Sequence, residues 1–196
     1  LMSIYMGISL PELTIQYKEY ANWYYGTEYQ EYLLNQKSFW LQELSGYANT
    51  AILPTDFQRP NEISFEVEQI HFQINAQQKQ IIDKLKKNSE VSLFSVLLSL
   101  FGLLQSKLTG VDDLVIGTPV AGRKHDDLKR VIGMFVNTVG IRFNPRPKMG
   151  LMHFLKEVNK KTSMCFDHQE YPYEELLEDL DLSKTNELNP LFNTMI

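Results

Sequence analysis

The first quarter of the chain carries an aromatic stripe at helical spacing. Tyr17, Tyr20 and Tyr24 follow one another at intervals of three and four residues, and a second set of tyrosines repeats that interval a little further on. Because residues three and four apart share one face of a helix, residues 14–44 are predicted to be helical. Gly26 follows Tyr25, the first tyrosine of the second set, and is expected to divide the segment into two helices. Such a stripe indicates core packing or, alternatively, the wall of a ligand pocket, and packing is the more common use.

The pattern changes to strict alternation in the following segment. Apolar residues occupy every second position from 63 to 67 and again, on the opposite parity, from 70 to 74. This indicates a pair of strands, or one strand with a bulge near Glu68. Asn75 is a suitable cap for the next helix, in which the apolar positions are expected to face inward. Those inward positions are Ile81, Ile82 and Leu85.

A second helix follows at once and is apolar nearly all round. Ser92 is its predicted cap and Gly110 its predicted end, and its composition indicates burial on most sides. Its most apolar run, Val91–Leu104, is shorter than the ~20 residues that a membrane span needs and contains three serines. We therefore predict a core helix rather than a membrane helix.

The second half alternates between strands and helices. Strands are predicted at 114–116 and 139–143, and a last strand from Asn189 onward. A helix of about four turns is predicted from Leu151, broken at 168–173, and a further helix at 173–180. A glycine- and proline-bearing loop, 116–123, is predicted to follow the first strand, and residues 132–138 return the chain to extended structure. The order predicts an α/β sandwich with a mixed sheet covered by helices. We divide it into an N-terminal part with aromatic helices and a connecting arm, 1–62, and an α/β lobe, 63–196.

Composition narrows the classes of function. A formal net charge of −5 and an isoelectric point near 5.4 argue against binding to the phosphates of nucleic acid. The single cysteine, Cys165, excludes an intrachain disulfide, has apolar neighbours and fits a core position in a cytoplasmic protein. No signal peptide is evident, and the chain opens without Met and stops inside a predicted strand. We expect a piece that is truncated at both ends.

Arg123 is the best candidate for a functional charge. Its guanidinium is always protonated, presents a planar fork of donors and follows a glycine that permits close approach of the backbone. It would brace a carboxylate across an interface or contact a substrate tether. The alternative is an ordinary surface ion pair with Asp126 or Asp127.

Asn137 is the second candidate. It follows Phe135 and Val136 in an apolar stretch, where an amide is costly unless it is hydrogen-bonded. We expect it to clamp backbone groups of a neighbouring loop, and alternatively to face a cavity and orient an amide substrate.

Small residues around these two are expected to shape loops. Thr118 and Pro119 would form the loop after the first strand, while Gly117 and Gly133 would adopt backbone angles that a side chain forbids. His168 has a residue type suited to general-base chemistry, but its position after a helix favours a capping role.

Five segments, in this order and spacing, resemble the later motifs of a condensation domain of nonribosomal peptide synthetases. They are Tyr17-Lys-Glu-Tyr-Ala21 with Trp23, Gly117-Thr-Pro-Val-Ala-Gly-Arg123, Ile132-Gly-Met-Phe-Val-Asn-Thr138, His168-Gln-Glu-Tyr-Pro-Tyr-Glu174 and Asn189-Pro-Leu-Phe192. The resemblance implies a fold of two lobes, each similar to chloramphenicol acetyltransferase, that flank a tunnel. Phosphopantetheine arms of upstream and downstream peptidyl carrier proteins would enter this tunnel from its two ends, and an acceptor amine would attack a donor thioester to form a peptide bond.

The family's catalytic signature, two histidines followed by three residues and Asp-Gly, is absent. The four histidines of this chain, His71, His125, His153 and His168, are never adjacent. The resemblance thus identifies the C-terminal lobe alone, without its N-terminal lobe, with no catalytic residue, no metal and no directly bound cofactor. The resemblance makes His168 a poor candidate for the family's base, since it precedes Gln169 instead of a second histidine.

The resemblance implies that this lobe forms one wall of the tunnel between the two lobes. The residues expected at the tunnel or at the seam between lobes are Tyr17, Trp23, Gly117, Thr118, Pro119, Arg123, Gly133, Phe135 and Asn137. Partners would be the missing lobe, carrier proteins and an adenylation domain, with no nucleic acid and no membrane. An uncovered apolar seam would favour self-association of the fragment.

Several alternatives remain open at this point. An epimerisation or cyclisation domain shares the fold, and its distinguishing motif would lie in the other lobe. A non-catalytic module that docks carrier or adenylation domains is the rival from another class. An acyltransferase that uses coenzyme A is weaker.

Overall fold

The computed structural model places helices on a small sheet and describes most of the chain. The described residues are 5–9, 12–48, 52–57, 66–146, 148–182 and 189–196. The elements in chain order are α1 (Tyr17–Tyr24), α2 (Thr27–Glu43), α3 (Ala76–Ser89), α4 (Leu93–Thr109), β1 (Leu114–Val120), a 3-10 helix (Asp126–Arg130), β2 (Asn137–Phe143), α5 (Leu151–Asp167) and α6 (Tyr173–Asp179).

Local signals set the helix ends as predicted. Gly26 is the N-cap of α2 and separates it from α1. The Asn75 side chain accepts from the backbone of Gln78, whose side chain accepts in return from the backbone of Asn75, at 2.9 Å each. Ser92 caps α4, and Gly110 ends it with a φ of +71°, in the left-handed region that glycine adopts without strain.

Two details of helix burial differ from prediction. Ile82 and Leu85 pack into a small cluster as expected, but Ile81 is 54% exposed. The helix α4 is less enclosed than its composition indicates, because Leu104 and Leu108 each remain more than half exposed.

The sheet is mixed, and the predicted α/β class is confirmed. β1 and β2 pair antiparallel, with Gly117 opposite Gly140 at the centre of the register. On the other edge of β1, Gly117 makes a parallel bridge to Met195, where the sequence predicts a last strand from Asn189. That last strand is therefore reduced to a single bridge in the described residues.

β1 runs through the segment that was predicted to be a loop, so Thr118 and Pro119 are strand residues. The amide of Gly117 donates to Thr194 at 3.0 Å on the edge away from β2. Residues two apart along a strand face the same edge, so the nitrogen of Pro119 also points away from β2. A proline is tolerated there because no ladder bond to β2 is lost.

The strand predicted across 63–74 is wrong for its described part. Residues 66–74 carry no strand, and Val67, Ile70 and Phe72 are each more than 80% exposed. A strand needs a hydrogen-bonding neighbour, and none pairs with this segment among the described residues. Residues 63–65 lie outside the described residues.

One hydrophobic core joins the aromatic helices to the sheet. Trp40 of α2 is 1% exposed and donates its indole N–H to the carbonyl of His168 at 2.8 Å. Phe143 at the end of β2 packs onto Gly102 of α4, where a Cβ would lie 2.1 Å from the ring. The boundary predicted near residue 62 falls among residues outside the described ranges and stays a prediction.

A bidentate ion pair fixes the strand ends against α2. Arg142 donates to the two carboxylate oxygens of Asp113 at 2.8 and 2.7 Å, and to the carbonyls of Glu43 and Ser45 at 3.1 and 2.8 Å. These hydrogen bonds hold the pKa of Asp113 below its usual range, against the opposing effect of burial.

Among the described helices, no single one has both the length and the apolar composition to cross a membrane. The pair α3 and α4 meets that test only when joined, across a bend of 107°.

The Asp113–Arg142 pair gives a pH-dependent prediction. Asp113→Asn should lower the free energy of unfolding at pH 7 by about 1 kcal/mol, a modest value because the Asp113 side chain is 37% exposed. A carboxyl with a depressed folded pKa stabilises above its unfolded pKa, so the difference from the unchanged chain should shrink as the pH falls below about 4. Urea unfolding at pH 7 and pH 3 measures it. Asp126→Asn, at a fully exposed pair with Lys129, should change stability little.

Candidate functional site

The β1–β2 loop, residues 121–136, turns sharply at Gly122. Gly122 has a φ of +63°, and a Cβ there would lie 1.7 Å from the carbonyl oxygen of Phe135. Both observations require glycine at this position. Gly117 and Gly133, predicted to need unusual angles, do not have a positive φ; they are required for space instead.

Arg123 is an internal brace of this loop. Its guanidinium donates to the carbonyls of Leu128, Val131 (2.8 Å) and Gly133 (3.3 Å). The guanidinium carbon also lies 4.2 Å from the centre of the Phe135 ring, a cation–π contact. One side chain thus holds the loop at three backbone positions and one ring.

The alternative for Arg123, an ion pair with Asp126 or Asp127, is not formed. Asp126 pairs with Lys129 at 2.6 Å, and Asp127 accepts from the hydroxyl of Thr14 at 3.2 Å. Both terminal nitrogens of Arg123 are directed at carbonyls of the loop.

The end of the loop is extended and presents one apolar face to solvent. Ile132, Met134 and Val136 are 91%, 76% and 62% exposed, whereas Phe135 between them is buried. The sequence predicts extended structure here, but β2 begins only at Asn137. We call Ile132, Met134 and Val136 the apolar ridge.

Tyr17 of α1 covers the inner side of this extended stretch. Its ring lies so close to Gly133 that a Cβ there would be 2.1 Å from Cδ2, and its hydroxyl donates to the carbonyl of Met134 at 3.1 Å. The ring also packs edge-on against Phe135 at 5.2 Å between centroids. Gly133 is therefore the position that lets α1 dock on the loop.

Asn137 clamps a second loop, as predicted. Its Nδ2 donates to the carbonyls of Gln169 and Tyr171 at 2.8 and 2.7 Å, and its Oδ1 accepts from the backbone N–H of Tyr173 at 3.2 Å. Residues 168–172 connect α5 to α6, so this one amide ties the start of β2 to that connection. Both Nδ2 protons are engaged in the clamp.

Glu170 anchors the same connection from the other side. Its carboxylate accepts from the hydroxyls of Tyr29 (3.3 Å) and Tyr32 (2.7 Å) and pairs with Lys124 at 3.3 Å. Burial acts to lower the pKa of Lys124, but its bonds to Tyr32 and Glu170 outweigh this and raise it. The sequence analysis missed both residues; the available signal was only that Lys124 and Glu170 lie beside or within quoted motifs.

These parts enclose an open cavity of about 480 Å³. Its walls are α1, the start of α2, the end of the β1–β2 loop and the segment 169–175. No histidine, lysine or arginine of the described chain lines it, and three glutamates do: Glu170, Glu174 and Glu175. We call it the tyrosine cavity, after the tyrosines of α1 and α2 that line one side of it.

The predicted site residues divide into three groups. Tyr17, Phe135 and Asn137 line the tyrosine cavity, with Gly133 and Arg123 directly behind them. Trp23 lies between two smaller cavities, edge-on to His125 at 5.9 Å.

The third group lies in the sheet, outside the lining of the cavity. Gly117 is packed under Phe192, where a Cβ would be 2.5 Å from the ring, and the Thr118 hydroxyl donates to the carbonyl of Ile196 at 2.5 Å. Pro119 is the exposed residue of β1.

His168 and Cys165, whose side chains can take part in catalysis in other proteins, have structural roles here. His168 caps α5 as predicted, with Nδ1 2.8 Å from the carbonyl of Met164 and its ring stacked on Phe39 at 3.8 Å. Cys165 is 1% exposed, and burial raises the pKa of its thiol to about 12. In the described ranges, no three His, Cys, Asp or Glu side chains are grouped to hold a metal ion.

Comparison with known proteins identifies a family. A family model described as "Condensation domain" matches residues 1–196. The chain is 36% identical to bacitracin synthase 3 of Bacillus licheniformis over 196 residues, all of this chain and 3% of that protein. It is 38% identical to tyrocidine synthase 3 of Brevibacillus parabrevis over 192 residues, 98% of this chain and again 3% of the relative. The chain thus spans a small part of the relatives it matches.

Solved structures show the same fold. The X-domain from teicoplanin biosynthesis has a TM-score of 0.86 at 20% identity, covering 98% of this chain and 44% of that one. The condensation domain from monacolin K polyketide synthase has a TM-score of 0.76 at 18% identity, covering 98% and 47%. A four-domain nonribosomal peptide synthetase bound to AMP and glycine has a TM-score of 0.78 at 28% identity, covering 82% and 12%. The predicted fold related to chloramphenicol acetyltransferase is confirmed at this level.

The contact between Tyr17 and Gly133 can be tested by second-site rescue. Gly133→Ala should lower the free energy of unfolding by about 1–3 kcal/mol, because the new methyl group displaces the Tyr17 ring. In a Tyr17→Ala background the same change should be nearly neutral, since the ring is gone. Chemical unfolding of the four proteins of this cycle measures the coupling. Equal losses in both backgrounds would contradict the docking contact.

Proposed function

The chain belongs to the condensation domain family, and on this premise we propose that it forms one lobe of a domain that makes peptide bonds. The reaction joins an acyl group held as a thioester on one carrier protein to an amine held on another. We assign this chain the C-terminal lobe and the wall of the tunnel between lobes. An N-terminal lobe would supply the paired histidines that are missing here.

The observation that carries the proposal is the open tyrosine cavity beside the apolar ridge. A wall of buried and half-buried rings ends in three side chains, Ile132, Met134 and Val136, that point into solvent. Exposed apolar surface of this kind indicates a covering partner. The solved relatives are about twice as long as this chain, which leaves room for a second lobe as that partner.

The contribution of this lobe to the reaction would be orientation. Arg123 and Asn137 hold the two loops of the cavity wall through backbone carbonyls, so the wall is rigid before a substrate arrives. Holding two reactants in a near-attack arrangement removes much of the entropic barrier. The reacting amine must lose a proton, and no histidine in the described cavity wall can take it. That proton transfer is assigned to the other lobe.

The carriers' phosphopantetheine arms fit this wall only in part. When present, an arm supplies the acyl group as an activated thioester. The aromatic wall suits the acyl end, while the glutamates at its rim disfavour the phosphate end. We therefore place the phosphate outside the cavity, and propose upstream and downstream carrier proteins and an adenylation domain as partners in the parent synthetase.

A second candidate is a non-catalytic docking module of the same fold. The sequence feature in its favour is that no two histidines of this chain are adjacent. The absence of adjacent histidines is equally compatible with the C-terminal lobe of an epimerisation or cyclisation domain. The sequence upstream of Leu1 in the parent gene tests the docking-module alternative, because a non-catalytic module has no need of paired histidines before Asp-Gly.

Activity should require the second lobe. With loaded donor and acceptor carrier proteins, the 196-residue chain alone should form no peptide bond. Joined to an N-terminal lobe that carries the paired histidines, it should form the product, as measured by mass spectrometry of the carriers. Product from the chain alone, or none from the joined domain, would contradict the proposal.

The clamp at Asn137 should matter for rate in the joined domain. Asn137→Ala should lower the rate by at least about tenfold, because the cavity wall loses its anchor to the α5–α6 connection. Asn159→Ala is the matched control: Asn159 also accepts from a backbone N–H, that of Ser92 at 3.1 Å, but does not line the cavity. Its rate should stay within about twofold of the unchanged domain.

The apolar ridge should make the isolated chain self-associate. Light scattering should show species larger than a monomer as the concentration rises, because an uncovered apolar patch favours contact with another copy. The double variant Ile132→Ser, Val136→Ser should shift the population toward monomer. Leu34→Ser, which removes an equally exposed leucine from α2, should not.

A further inference from the structure

The tyrosine cavity has the wall of a cation site. Tyr20, Tyr24 and Tyr29 lie with neighbouring ring centroids 5.1–6.1 Å apart, and Tyr20 also packs 4.7 Å from Phe135. Aromatic faces carry partial negative charge and attract a cation that lies over them. A neutral apolar ligand would be stabilised here by burial of its apolar surface. A ligand with an apolar stem and a cationic end would be stabilised in addition by the attraction of the cation to the aromatic faces.

The formal charges at the cavity have one sign. Glu174 and Glu175 of α6 line it and are exposed at its rim, and neither forms an ion pair among the described residues. The nearby cations are engaged elsewhere: Lys124 pairs with Glu170 on the far side of the wall, and Lys37 pairs with Asp179 at 2.5 Å. The guanidinium of Arg123 lies 4.2 Å from the Phe135 ring centre, behind the cavity wall, and is bonded to carbonyls of the loop. The free carboxylates at the rim are therefore Glu174 and Glu175.

The pKa shifts of side chains in the cavity wall reflect both burial and the negative charge of the glutamates. Burial and, next, the charge of Glu175 raise the pKa of Tyr24, while burial and the charge of Glu170 raise the pKa of Tyr29. Burial and then Asp179 raise the pKa of Glu175 itself, while the charge of Lys37 acts in the opposite direction. Burial disfavours a charge of either sign, so only the contributions of Glu175 and Glu170 to these shifts favour a cation here.

We propose that the tyrosine cavity selects an aminoacyl substrate with a cationic side chain of the lysine or ornithine type. The ammonium would lie over the tyrosine rings and against Glu174 and Glu175. The reacting α-amine is not the group bound there, because it must be neutral to attack a thioester. This inference rests on the proposed function and adds the class of substrate.

Two probes that differ by one charged group test it. Nα-acetyl-lysine methyl ester and Nα-acetyl-norleucine methyl ester share the same backbone and nearly the same side-chain length, but only the first has a side-chain ammonium. Titration of the 196-residue chain, followed by calorimetry or by NMR shifts, should give about tenfold tighter binding of the lysine probe at low salt. The preference should weaken as ionic strength rises.

Variants connect the preference to the rim. The double variant Glu174→Gln, Glu175→Gln should reduce the preference for lysine to less than about twofold. Glu178→Gln is the matched control, because Glu178 lies on the same helix but does not line the cavity, and it should keep the preference. Thermal unfolding of each variant verifies that it is folded. Equal binding of the two probes, or an unchanged preference in the double variant, would overturn the inference.

The joined two-lobe domain distinguishes failure of this inference from failure of the proposed function. If the domain condenses neutral and basic acceptors at equal rates, the function stands and the cation inference is wrong. If it condenses neither, the proposed function itself fails. A faster reaction with a lysyl acceptor than with a norleucyl acceptor, lost in the double variant, supports both.

Discussion

The amide of Asn137 is the point at which the sheet, the long α5 helix and the cavity wall are tied together. It occupies the first position of β2 and makes three hydrogen bonds to the connection between α5 and α6. Glu170 lies within that connection and reaches the tyrosines of α2, while Glu174 and Glu175 follow it on α6. A buried carbonyl that loses its hydrogen-bond donor carries a penalty of about 1–3 kcal/mol. Without the Asn137 side chain, the carbonyls of Gln169 and Tyr171 would both lose their donor, and we expect the connection to shift so that they reach water.

Local residue chemistry predicted the capped ends of the helices well, and the extent of the strands and the partners of side chains poorly. The caps at Asn75 and Ser92 depend on bonds within three residues, so the sequence contains the whole interaction. Pro119 was misassigned to a loop because its place in β1 depends on which edge faces β2, and that is a long-range fact. Arg123 was expected to brace a carboxylate across an interface or contact a substrate tether, with a surface pair to Asp126 or Asp127 as the alternative. It binds carbonyls instead, and backbone carbonyls carry no sequence signal.

The aromatic stripe illustrates why the two interpretations of its spacing are not exclusive. Tyr29 is 5% exposed and packs in the core, whereas Tyr17 is 38% exposed and covers Gly133. Successive turns of α1 and α2 pass from solvent to core, so one stripe supplies both a packing face and a cavity wall. The spacing correctly predicts that these tyrosines share one side of the helices. How deeply each tyrosine is buried depends on Gly133 and on the loop that Arg123 holds. Both Arg123 and Gly133 lie more than ninety residues after Tyr29 in the sequence.

A wall that presents no histidine or thiol among its described residues restricts what this lobe can contribute to a reaction. His168 is fixed between the α5 C-terminus and Phe39, and the Cys165 thiol is buried with a raised pKa, so neither is presented to the cavity. What remains is shape, rigidity and charge of one sign. Orientation alone is a large resource, since well-placed reactants reach effective concentrations of about 10⁵ M or more. A lobe that only orients can also discriminate, because the side chain of a tethered substrate must rest on its surface while the reacting atoms are handled elsewhere. The anionic tyrosine wall is where such discrimination by side-chain charge would be exerted.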